Sequence, residues 1–235
     1  MRALIINLPK QWKTIVVSLL LVIGLILAGG YYFKTSNYLI PAEDLLTQAL
    51  NQAFEAQSYR YTMVSQLYID GKNQTWSDVT GEKADPHDLH LRGTMVNTPI
   101  ELYQVGDTSY NKDPFTNRWY TVKGYDLTRQ EILMMEVNPL ANFNFKEVIE
   151  VNNIGKEKVQ DKNCWVLECT ADLENQLLEV LWQDFRFQFW VDREDHLLRK
   201  GQLTARSKTN PESLLTITTE FKDYNQPIQF EVPQV

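Results

Sequence analysis

The chain is short of most things that a catalytic or disulfide-stapled protein uses. Of its 235 residues, two are cysteine and three are histidine. Two cysteines cannot build a disulfide framework or a four-cysteine zinc site. Ten glycines and nine prolines are too few for a fibrous or low-complexity chain. The patterns G-x-S-x-G, G-x-G-x-x-G, H-E-x-x-H and the phosphate loop are all missing. Esterase, dinucleotide, zinc-protease and nucleotide chemistry therefore lack their usual carriers. No catalytic residue, metal set or cofactor is expected. His87 and His90, three apart on a strand, point to opposite faces and cannot share a metal; they read as surface histidines, and His196 as one alone in a turn. Basic charge is scarce in the body. Residues 1–34 hold four of the 23 basic residues and no acid, which leaves 19 basic and all 30 acidic residues in 35–235, a balance of −11. A body of that sign does not suit nucleic-acid phosphates, so no nucleic-acid partner is expected.

Charge is also absent from residues 14–33 (TIVVSLLLVIGLILAGGYYF). As a helix this span is about 30 Å long, the thickness of a bilayer core. Lys10 and Lys13 precede it, which places the N-terminus in the cytoplasm and the body outside. Trp12 and Tyr31, Tyr32 and Phe33 flank it as interfacial rings. The expected organisation is a basic cytoplasmic N-terminus over 1–13, a transmembrane signal anchor over 14–33, a connector over 34–41 and an extracytoplasmic domain over 42–235. The protein is then single-pass in the cytoplasmic membrane. A cleaved signal peptide is the alternative, with small residues at Ala28, Gly29 and Gly30. No cysteine follows the apolar run, so lipid attachment there is not expected.

Beyond the connector, Leu45, Leu46, Ala49, Leu50, Ala53 and Phe54 form one apolar stripe, predicting a helix over 42–57 with Glu43 and Asp44 in its first turn. From Ser58 the period changes to two. Tyr59, Tyr61, Met63, Leu67 and Ile69 alternate with polar residues up to the turn at Asp70 and Gly71. Further strands are expected over 74–83, 88–96, 99–105, 108–111 and 118–122. Links this short force antiparallel pairing. Thr128 and Glu131 form a capping box, and two short helices are expected within 128–146. Strands resume over 148–151, 157–160 and 163–170. Residues 172–183 are expected as a helix, with a bulged strand pair as the alternative. Strands then cover 185–191, 197–205, 213–221 and 228–232.

The expected fold is α+β: a curled antiparallel sheet, an incomplete barrel, wrapped around a few helices and preceded by the transmembrane helix. So many strands with so few covering helices leave room for a cavity. Met63, Leu102, Met134, Met135, Phe143, Phe145, Trp165, Phe187 and Phe189 are its candidate lining residues. Cys164 and Cys169 lie five apart on one strand, too far and on opposite faces, so they are expected as free thiols. Asp192, Glu194 and Asp195 read as a solvated hairpin turn rather than a calcium loop.

The chain resembles the LolA/LolB-like superfamily of lipoprotein carriers, which includes the LppX/LprG-type lipid-binding lipoproteins. The likeness lies in residues 103–120 (YQVGDTSYNKDPFTNRWY), 155–170 (GKEKVQDKNCWVLECT), 189–200 (FWVDREDHLLRK) and 221–233. It implies an incomplete barrel around a few helices with a hydrophobic cavity, and a lipid, acyl-chain or lipoprotein ligand. The lipoprotein members begin at a lipid-modified cysteine, which this chain lacks. The competing reading is an interaction or sensor module with a filled core. A hydrolase would need a nucleophile and base that no residue supplies.

Overall fold

The computed structural model describes residues 20–25, 40–84, 88–124 and 134–234. The chain divides into two units, Met1–Ile40 and Pro41–Val235. Residues 20–25 are helical; the rest of the expected anchor, the connector up to Leu39, and the capping box lie outside the described residues. Among the described residues no helix is long and apolar enough to cross a membrane.

The second unit opens with helix α1, Ala42–Phe54, which buries Leu45, Leu46, Ala49, Leu50 and Ala53 and keeps Glu43 and Asp44 in its first turn. Phe54, read as part of the stripe, is exposed. Eleven strands follow: β1 Ser58–Ile69, β2 Lys72–Ala84, β3 Asp88–Met95, β4 Thr98–Val105, β5 Thr108–Lys112, β6 Trp119–Lys123, β7 Phe145–Val159, β8 Lys162–Leu173, β9 Trp182–Asp192, β10 Leu198–Ser207 and β11 Leu214–Lys222. Between β6 and β7 stand α2, Met134–Val137, and a 3-10 helix, Pro139–Phe143; between β8 and β9 stands α3, Gln176–Leu181.

All strands join one sheet in the order β6-β5-β4-β3-β2-β1-β11-β10-β9-β8-β7. Two meanders meet where β1 pairs with β11, Met63 opposite Thr219. The outermost strands, β6 and β7, are not paired with each other, so the barrel is incomplete. A twisted open sheet of this size curls, because each strand is rotated against the next. One face carries the main core; α1 packs on it over β7, β9 and β10, and α2 over β2 and β3.

Four sequence expectations change. Residues 148–151 and 157–160 belong to one strand, β7, because β8 is long enough to pair with all of it and bulges take up the irregularities. Within 172–183 only Gln176–Leu181 is helical, capped by the Asn175 side chain, which accepts from the Leu178 N–H at 3.1 Å. Asp172 and Leu173 end β8 instead, and Trp182 and Gln183 open β9. The helical stretch before β7 ends at Phe143, and Phe145 already belongs to the strand. Residues 228–232 are not a strand. Both sides of β11 are taken by β1 and β10, so no free edge adjoins the tail, and Pro227 has no N–H to pair. Phe230 instead packs edge-on against the Tyr103 ring at 6.4 Å.

Candidate functional site

Period-two alternation sends Tyr59, Tyr61, Met63 and Ser65 of β1 to the inner face, with Leu67 half-buried beyond them. The same rule sends Phe187, Phe189 and Val191 of β9 there, and Leu215, Ile217, Thr219 and Phe221 of β11. The 3-10 helix closes over this face. Its Phe143 lies against Gly201 of β10, where an added Cβ would fall 2.5 Å from the phenyl ring. A Cβ at Gly81 of β2 would fall 2.0 Å from the Tyr61 ring. Both glycines stand where a ring must touch the backbone.

The nine expected lining residues separate into groups. Phe143, Phe145, Phe187 and Phe189 form one ring cluster. Phe145 meets Phe187 edge-on at 4.7 Å, Phe143 meets Phe189 edge-on at 5.3 Å, and Phe187 stacks beside Phe189 at 6.3 Å. Edge-to-face pairs of this kind are favoured by the ring quadrupoles. Met63 is fully buried at the β1–β11 seam, and Met135 is half-buried against the same core. Leu102 sits two strands away from β2, on β4, also in the main core. Met134 opens α2. Trp165 is also in the main core, but its ring lies 4.6 Å from both the Lys156 ammonium and the Arg193 guanidinium. Three surface clefts of about 560, 700 and 360 Å³ lie elsewhere, and none of the nine residues lines them.

Sequence reasoning missed the polar groups on the inner face. Glu136 of α2 is fully buried, and among the described residues neither carboxylate oxygen has a partner in hydrogen-bonding geometry. The hydroxyls of Ser65, Ser77 and Thr219 and Oδ1 of Asn142 are buried and unpartnered as well. Ser65 and Ser77 face each other across β1 and β2. Burial pushes the Glu136 carboxyl above its ordinary value, and Ser77 offsets part of that rise. The Ser77 hydroxyl lies close enough to the carboxylate to lower it. Tyr61 Oη donates to the Glu136 carbonyl at 2.5 Å and fixes α2 over β2. Asn142 Nδ2 donates to the carbonyls of Met135 and Pro139 at 3.2 and 3.1 Å and ties α2 to the 3-10 helix. The sequence does carry a signal: Ser65 and Ser77 interrupt apolar faces, and Glu136 interrupts an apolar run.

Two further readings change. Asp192 is buried rather than solvated. Arg199 Nη2 donates to it at 2.9 Å and to Asp195 at 2.5 Å, and Lys162 lies 3.6 Å away. Burial raises the Asp192 carboxyl, but the Glu194 N–H, Arg199 and Lys162 outweigh it and hold it below its ordinary value. His90 is not a surface histidine. Its ring stacks on Tyr103 at 4.0 Å, with Glu82 and Glu101 each 3.7 Å away, and burial lowers its pKa. His87 lies outside the described residues. His196 meets α1, its Nδ1 being 3.1 Å from Gln48 Oε1.

Both thiols are free and buried. Cys169 belongs to the main core, and Cys164 to a small outer cluster with Val159, Val166 and Trp190, so they do face opposite sides. Burial pushes them up to about 12 and about 11. Among the described residues no three His, Cys, Asp or Glu side chains group so as to hold a metal.

No protein-family model matches the sequence, and no curated protein does. Solved structures do match. The lipoprotein LppX of Mycobacterium tuberculosis aligns over 80% of this chain and 96% of its own, at 13% identity and a TM-score of 0.51. LprF of Mycobacterium bovis aligns over 82% and 96%, at 11% identity and a TM-score of 0.53. A LolA superfamily protein of Nitrosomonas europaea aligns over 83% and 96%, at 11% identity and a TM-score of 0.33. The likeness to LppX and LprF establishes the fold: an LppX-like open antiparallel sheet with few helices. Fold alone does not carry function.

Proposed function

We propose that the chain is a membrane-anchored extracytoplasmic binding protein that holds a lipid, acyl chain or lipoprotein against the inner face of its sheet. One observation carries the reading. An eleven-stranded sheet turns a largely apolar face inward, and four short helical segments, α1, α2, the 3-10 helix and α3, are described as packing on it. Short covers over a wide apolar face are the arrangement from which an apolar ligand site opens. The fold shared with LppX and LprF, and the family resemblance in the sequence, support it. Residues 14–33 supply the anchor in this reading, and the body functions by binding rather than by catalysis.

A filled-core interaction module is the second reading. The close contacts among Phe143, Phe145, Phe187 and Phe189 favour it. Native mass spectrometry of the full chain, released from membranes, separates the two. A carrier retains lipid of defined mass. A chain that leaves the membrane free of lipid and takes no photoreactive acyl probe ends the carrier reading. A mature N-terminus at Tyr31 ends the anchor.

A further inference from the structure

The polar groups under α2 include buried acceptors with no donor in hydrogen-bonding geometry among the described residues. Glu136 contributes two unmatched acceptor oxygens and Asn142 a third, all sealed from solvent. Ser77 of β2 lies near Glu136, and Ser65 stands opposite Ser77 on β1; neither hydroxyl has a partner in hydrogen-bonding geometry among the described residues. Unmatched buried polar groups are costly, so a chain seldom keeps several together without a partner for them. Among the described residues, no basic side chain acts on Glu136.

We propose that Glu136, Ser77 and Ser65 form the polar end of the interior binding site and take an alkyl or acyl ligand whose head group is a hydroxyl. This rests on the carrier reading. A hydroxyl donates to the Glu136 carboxyl and accepts from a serine through one oxygen, so it satisfies both kinds of unmatched group. An anionic head group, carboxylate or phosphate, meets a carboxylate with no cation beside it and is disfavoured. Entry requires α2 to shift from β2 and β3, because the carboxylate is now covered.

The test uses the full chain in phosphatidylcholine vesicles at pH 7. Two photoreactive hexadecyl probes are compared, one ending in a hydroxyl and one in a sulfonate, and half-labelling concentrations are read by mass spectrometry. The wild-type chain is expected to label with the alcohol at a concentration at least tenfold lower than with the sulfonate. Glu136→Gln keeps the shape and removes the charge, and is expected to shrink that ratio to threefold or less. The paired change Ser65→Ala with Ser77→Ala is expected to weaken alcohol labelling at least fivefold. Comparing ratios between variants cancels unequal partition of the probes into the bilayer. A ratio that is the same in wild type and Glu136→Gln overturns the head-group site and leaves the carrier reading standing. Absence of interior labelling by either probe overturns the carrier reading itself.

Discussion

Replacing Phe187 with alanine removes a ring that is fully buried and held on two sides. Phe145 meets it edge-on at 4.7 Å, and Phe189 stacks beside it at 6.3 Å. Losing a packed core phenylalanine costs about 3–5 kcal/mol through lost burial and the void left behind. The aromatic pairs account for about 0.5–1.5 kcal/mol each beyond area alone. Neighbours here are other rings, fixed by strands β7 and β9, so they collapse poorly into the gap. The expected loss is therefore in the upper part of the range. With a urea slope of about 3 kcal/mol per molar, the unfolding midpoint falls by more than about 1 M. Fluorescence-detected urea unfolding of the ligand-free chain measures it. A loss below about 1.5 kcal/mol would mean that the ring lines empty space, and the packed-cluster account of this face would be wrong. Photoreactive acyl labelling of the same two proteins reports separately on the ligand. Wild type is expected to label, and the variant to label at a changed concentration.

Gly201→Ala drives a Cβ to 2.5 Å from the buried Phe143 ring and is expected to cost about 1–3 kcal/mol, or more if Phe143 cannot turn; wild-type stability in urea would refute the contact. Burial raises the Glu136 carboxyl above its unfolded value, so its contribution is intact below about pH 4 and is lost as pH rises through the folded value. Glu136→Gln should therefore match wild type in thermal melts near pH 4 and exceed it at pH 7 to 8, whereas parallel curves would contradict the burial of the charge. Asp192 runs the other way: its carboxyl is held low, so its contribution is present at neutral pH and lost as pH falls below about 4. Asp192→Asn leaves Arg199 half-paired and should cost about 3–5 kcal/mol at pH 7, with the gap to wild type closing in acid; a loss under about 1 kcal/mol would show the pair to be a surface one.

Local order was legible because it is written at short range. Alternation marked β1 and β9, and Asp70-Gly71 and Gly106-Asp107 marked the turns after β1 and β4. The β1–β11 pairing was not legible, since it joins segments that no hairpin connects and depends on both meanders being in place. Neither was the environment of Asp192. A charged turn looks solvated until the partner strand brings Arg199 and Lys162 beside it. The tail failed for a similar reason: residues 228–232 have strand composition, but β11, which precedes them, has both sides already paired. Of the lining residues, the phenylalanines were found because they obey the period. The polar end was overlooked because it breaks the period.

That break follows from the topology. The β1–β11 seam is where the strands of the two meanders pair, and Ser65 and Thr219 both lie on its inner face. A chain built only for stability would place branched apolar residues there, as it does at Val79 and Ile217. Instead four unmatched polar residues, Ser65, Ser77, Thr219 and Glu136, lie on or over that face. The same face holds Phe143 against Gly201 and Tyr61 against Gly81, so the backbone there is shaped to admit rings closely. Apolar contact is thus supplied on the β9–β10 side, and unmatched polar groups on the β1–β2 side. In the carrier reading proposed above, an amphipathic ligand would lay its apolar chain on the first side and its polar end on the second.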